Sequence, residues 1–426
     1  MSILLPRFVR GPLQIAVRWG FRLAFLAVLF VALLLPGGDV RRFSSLEIAA
    51  SDHLFSIPAW EVGNFLDKWT NRVTSLFGGK LGDEEGQAIL TDYSALSDRI
   101  REETGNRDRI AANPDATAEE LESAEHALSD VRNIRRSDRD DTEEYLESAI
   151  SATLRELGFG GPGGFLWPPV DFRLEEPPHL LVTSPRDRIE RLDSELLAPG
   201  INALQSEEIE ARLLEDANLS AIVLSLGGVA TFPTFVRDDT SLLGTLDLAS
   251  HEWLHAYFFF QPLGQNIGSG SEMNTLNETV ASIAGKELGI LTYERLTGEK
   301  VPEEADEEDE EEFSFDDFMR ETRRTTDGLL FEGDIEGAEA YMEARRLELQ
   351  DHRFFIRKLN QAWFGFNGTY GDSPASISPI GDEVKELREL LPDVGELIRR
   401  ARGVSSYEEF QAVLQQAREA AAAASG

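Results

Sequence analysis

His251-Glu252-Trp253-Leu254-His255 places two imidazoles four positions apart with a carboxylate beside the first. Four helical residues turn through about 400°, so both rings leave nearly one face and can grip a single divalent ion. Glu252 sits one step round, where it reaches a water on that ion rather than the ion itself. Such a water has its pKa lowered to about 7, and a neighbouring carboxylate can take its proton as it attacks a carbonyl. A catalytic zinc site needs a third protein ligand and an open fourth position. Glu278, 23 residues past His255, opens a helical pattern with Val280, Ile283, Ala284 and Leu288 to bury. The Gly-rich stretch 264–270 is long enough to reverse the chain and bring that helix back antiparallel. The residues therefore predict Zn²⁺ held by His251, His255 and Glu278, with Glu252 as general base. The competing reading is a helix with two surface histidines, packed through Trp253, Leu254 and Tyr257.

The elements that must position these groups follow from the pattern. Asp239 or Thr240 caps a helix running to about Phe260, stopped by Pro262 and Gly264. Short strands are expected at 180–183, 221–226 and 229–236, with a helical stretch over 187–217. Upstream, 82–157 reads as a helical hairpin broken at Asn113-Pro114-Asp115, with Thr117 and Glu120 forming a capping box. Its apolar positions are sparse, so it is exposed on one side or pairs with another chain. The segment 51–80 looks helical and partly apolar, packed on the body. Gly158 to Gly164 spells G-x-G-x-x-G, but it follows a helix and runs into Trp167-Pro168-Pro169, so it reads as a linker rather than a dinucleotide loop. The acidic run 303–317 is a solvated loop, and from Thr322 onward the chain is mainly helical, broken at 365–379, with a frayed alanine-rich tail. The fold class is thus α+β and mainly helical.

The chain has 426 residues, 41 Lys plus Arg against 77 Asp plus Glu, and a formal charge of −36, which argues against nucleic acid as a partner. With no cysteine, disulfides, thiolate metal sites and cysteine nucleophiles are excluded. Residues 15–35 form an apolar run interrupted only by Arg18 and Arg22, about 30 Å as a helix, long enough to span a bilayer. A small-residue cleavage site is missing after it, so an uncleaved anchor is favoured over a signal peptide. Arg7, Arg10, Arg18 and Arg22 place the N-terminus in the cytoplasm and the remaining chain outside, or secreted if the segment is cleaved.

His251-Glu252-x-x-His255 followed by Asn277-Glu278 resembles the gluzincin class of zinc metallopeptidases. That resemblance implies a zincin-like core with a small mixed sheet, whose antiparallel edge strand, here within 226–236, binds extended substrate above the motif helix. It covers only about 75 residues, 220–295. It also implies an oxyanion donor from the helical domain that follows the site: Tyr370, with His352 as competitor. Many gluzincins carry an aspartate four residues after the glutamate ligand, where this chain has Ser282; Asp247 or a backbone carbonyl would then orient the first histidine. The loop that captures a free amino terminus in one aminopeptidase family is absent.

The expected organisation is a cytoplasmic N-terminus and anchor (1–40), a helical region with the exposed hairpin (41–157), the zincin-like domain (158–300), the acidic loop (301–317) and a C-terminal helical domain (318–426). The expected function is a membrane-anchored zinc peptidase acting on peptide or protein substrates outside the cytoplasm. Two alternatives stand beside it: an inactive scaffold recruiting a partner through the hairpin, and a metal hydrolase of non-peptide amides.

Overall fold

The motif helix exists because Ser241 caps it, its hydroxyl accepting from the Gly244 amide, and because one side of it is apolar enough to bury. In the computed structural model this helix, α5, spans Leu242–Phe258 and buries Leu246, Ala249, Trp253, Leu254 and Phe258. The structure describes residues 44–56, 83–111, 116–231, 233–301 and 313–425. The expectations for the anchor at 15–35, for most of 51–80 and for the body of the acidic run lie outside these residues.

The chain divides at Ser44/Ser45, and Ser45–Gly426 forms one compact unit. Its first elements are a short helix α1 (Ser45–Ala49) and the hairpin of α2 (Asp83–Ala111) and α3 (Ala118–Glu156). Thr117 and Glu120 make the expected reciprocal capping box on α3. The hairpin is exposed at its outer part, where Ile100, Leu128 and Val131 pack between the two helices. Its base, however, joins the main core through Leu90, Tyr93, Leu146, Ile150 and Leu154, so its apolar face is covered by its own chain there.

Strands follow: β1 (Phe172–Glu175), β2 (His179–Pro185) and β3 (Ser194–Leu197), then α4 (Ala203–Ala217), β4 (Leu219–Ser225), β5 (Gly228–Val229) and β6 (Thr234–Arg237). The helix expected over 187–217 is corrected: β3 takes its first part, pairing antiparallel with β2, and the helix begins only at Ala203, capped by Asn202 and Gln205. The strand expected over 229–236 is split by a turn into β5 and β6. Two three-stranded sheets result instead of one. The antiparallel sheet is ordered β3-β2-β4; the other is mixed, ordered β1-β6-β5, with β1 parallel to β6 and β5 antiparallel to it.

After α5 comes a short helix α6 (Pro262–Gln265), then the long α7 (Ser271–Thr297). The C-terminal part is helical: α8 (Phe315–Phe331), α9 (Ile335–Asp351), α10 (Gln361–Asn367), α11 (Ile380–Leu390), α12 (Val394–Ala401) and α13 (Tyr407–Ser425). Ser314 caps α8, so helix begins inside the end of the expected acidic loop, and α13 carries the alanine-rich tail as helix through Ser425. The core is built on α7, whose Leu276, Val280, Ala284 and Leu288 meet residues from α3, α5, α11, α12 and α13. The molecule is mainly helical α+β. Among the described residues no helix is long and apolar enough to cross a membrane.

Candidate metal centre

Two glycines fix the distance between the helices that carry the candidate ligands. A Cβ on Gly285 would lie 3.0 Å from the His251 backbone, and one on Gly289 would lie 2.8 Å from the Asp247 amide nitrogen. The helices touch backbone to backbone at these points. As residue numbers rise along α5 the matching numbers on α7 fall, so the two run antiparallel and Glu278 comes back beside His255.

The three expected ligands converge. The Nε2 atoms of His251 and His255 are 3.0 Å apart, and Glu278 Oε2 is 3.4 Å from the His255 nitrogen and 3.8 Å from that of His251. Tetrahedral zinc with ligand bonds of about 2.0–2.1 Å separates its donor atoms by about 3.3 Å. The observed spacings bracket that value. Two imidazole nitrogens and one carboxylate oxygen are a donor set suited to zinc and poorly suited to calcium or magnesium.

The other ring nitrogens are held as metal-binding imidazoles require. His255 Nδ1 meets the Asn277 Oδ1 atom at 2.8 Å, and His251 donates to the backbone of Ala281. Each of these bonds puts a hydrogen on the outer nitrogen and leaves the inner one as a lone pair. Two lone pairs facing each other at 3.0 Å repel unless a cation or proton lies between them. The residues present therefore fit a divalent ion. Of the two orienting groups expected for His251, the backbone carbonyl is the one used. Asp247 lies instead against Gly289, and burial pushes its carboxyl up to about 6 despite the Lys286 charge, with Asp372 adding to the rise. Ser282, which stands where the resemblance implies an aspartate, donates to Asp372 Oδ2 at 2.8 Å, so that carboxylate arrives from a segment 90 residues away.

Electrostatics reinforce the arrangement. Burial works against a charged His255, but the charge and hydrogen bond of Glu278, together with Glu252 and Asn277, push it up to about 9. Burial and the neighbouring charged imidazole push His251 down to about 3. Burial alone would raise Glu278; the His255 charge and hydrogen bond, His251 and Arg191 hold it below the usual carboxylate range. In the apoprotein one proton is thus held on the pair, and a metal must displace it. Below pH 9 that proton competes with the metal. Apparent zinc affinity should therefore climb about tenfold per pH unit from pH 6 to 8, which competition with a chromophoric chelator at each pH would measure.

Glu252 is buried, and burial pushes its carboxyl up to about 7, with the Glu278 charge adding to the rise. It lies directly beneath β5. A Cβ on Gly228 would come within 2.8 Å of Glu252 Cγ and Oε1 and within 2.7 Å of the Phe235 carbonyl oxygen. Only glycine lets this strand rest on the carboxylate, and β5 is the outer strand of its sheet.

The Tyr370 ring is 6.4 Å from that of His251. The irregular segment carrying it is tied to α7 by the Gly371 amide, which donates to Thr279 Oγ1 at 2.8 Å, and by the Ser282–Asp372 bond. Burial and the Glu278 and Glu252 charges push the Tyr370 hydroxyl far up, so it stays a hydrogen-bond donor. His352 is exposed and stacks on Phe313, with ring centroids 3.7 Å apart. The structure brings Tyr370, not His352, to the triad.

Sequence reasoning missed two groups around the triad, Asn277 and the Arg191 charge, and left open which backbone carbonyl would receive His251. Asn277 adjoins a predicted ligand and could have been found; the other two depend on tertiary packing. Comparison with family models, curated proteins and solved structures finds no match for this chain.

Proposed function

We propose that the site is a metal hydrolase centre holding Zn²⁺ on His251, His255 and Glu278, and more particularly that of a gluzincin-like peptidase. The observation that carries this reading is the convergence of the two inner imidazole nitrogens and Glu278 Oε2 beside a buried Glu252. When bound, zinc lowers the pKa of water and polarises a carbonyl oxygen.

The chain's own residues supply the rest. Glu252, with its carboxyl near neutrality, accepts a proton from water and can hand it on to a leaving amine. Tyr370 donates to the oxygen on which negative charge develops. Among the described residues β5 is an outer strand of its sheet and lies above Glu252, a place suited to pairing with an extended chain, which favours peptide over a compact amide as substrate. The mixed sheet, its antiparallel outer strand and the returning α7 support a zincin-like core around residues 158–300. The apolar run at 15–35 supports a protein anchored in a membrane with its bulk outside the cytoplasm.

The test is to incubate the zinc-loaded full chain with an unbiased peptide library and identify cleavage sites by mass spectrometry. Cleavage should stop with a chelator and return with zinc. Tyr370→Phe should lower kcat by about 10²-fold with zinc content and KM little changed. An untouched library at full zinc occupancy would instead favour the scaffold reading.

A further inference from the structure

Residues 157–170 and 256–271 are two of the several long stretches without an Asp, Glu, Lys or Arg in a chain that is 28% charged. The fold brings them together. Trp167 from the first lies 5.8 Å from Phe260 of the second, with Phe165 stacked on Trp167 at 6.3 Å and Phe259 edge-on to Phe260 at 5.2 Å. Burial does not account for this cluster: Phe165 is 63% exposed, Trp167 58%, Phe259 70% and Phe260 49%. Large exposed apolar patches of this kind mark interaction sites.

We propose that this aromatic face rests on the interfacial region of a lipid bilayer. Exposed Trp and Phe on loops containing Gly and Pro suit the headgroup level, where a ring is half in hydrocarbon and half wet. The neutrality of both stretches matters on a molecule of charge −36, because it removes acidic groups from the surface that would approach anionic lipid. The inference also rests on the reading of 15–35 as a membrane anchor. The Phe259 amide donates to the His255 carbonyl at 2.9 Å, so the face begins one helical turn beyond a metal ligand.

The test uses the full chain reconstituted in vesicles of phosphatidylcholine and phosphatidylglycerol, with or without brominated acyl chains that quench nearby tryptophan. Comparing wild type with Trp167→Phe isolates the Trp167 signal, and Trp19→Phe isolates that of the anchor segment. The expected result is quenching of Trp167 comparable to that of Trp19. The double variant Phe259→Ser, Phe260→Ser keeps Trp167 in place and should weaken its quenching, with circular dichroism confirming the fold of every variant. Quenching that disappears with Trp19→Phe alone and is untouched by the other variants would leave the anchor standing and overturn the proposal.

Discussion

Glu252→Gln should cut hydrolysis to a small residue while leaving zinc content, circular dichroism and thermal midpoint near those of the wild type. The substitution keeps volume and shape beneath Gly228 but removes the group that takes the proton. General base catalysis is worth about 10²–10⁴-fold, so kcat/KM should fall by at least about 10²-fold, or roughly 3 kcal/mol of transition-state stabilisation. Burial and the Glu278 charge raise the Glu252 carboxyl to about 7 in the metal-free chain, and a bound dication opposes that rise, so the acidic limb of the wild-type rate profile should bend below pH 7 and be missing from the residual activity of the variant. Rates on a peptide found in the library screen, measured from pH 5 to 9, would decide this. Equal rates for both proteins would remove Glu252 from the chemistry.

His255→Ala should strip the metal. Two of three ligands remain, and the buried Asn277 side chain loses the ring it orients. Elemental analysis of the purified chain should fall from about one zinc per molecule to about a tenth or less, in line with the dependence of such sites on their full ligand set. An unpaired buried amide costs about 1–3 kcal/mol, so the thermal midpoint should drop as well. Glu278→Gln separates the two effects, since it weakens the ligand set without disturbing Asn277. Zinc retained in both variants would place the metal elsewhere.

The candidate ligands and Glu252 were legible because their pattern is local. An i, i+4 pair of histidines on one helix face needs no tertiary knowledge, and a glutamate opening the next helix needs only a chain reversal. Tyr370 came through resemblance, since nothing in residues 367–371 announces a cleft. The strands were harder. β1 and β3 are four residues each, too short for alternation to register, and the Ser-Glu-Leu-Leu of β3 is rich in helix-favouring residues, so it was absorbed into the helix after it. The parallel pairing of Phe172 with Thr234 joins segments 62 residues apart, and no sequence signal marks it. The hairpin base looked sparse in isolation because the surface that buries Tyr93 and Leu154 belongs to other helices.

The glycine contacts on α7 carry a further consequence for how tolerant this centre is to change. Since bare backbone at 285 and 289 sets the separation of the two helices, there is no intervening rotamer that could absorb a misfit, and the carboxylate's place depends on counting. Adding one residue between 278 and 285 would swing Glu278 about 100° round its axis and lift it about 1.5 Å. The length of that seven-residue ruler is therefore as much a part of the ligand set as the carboxylate at its end.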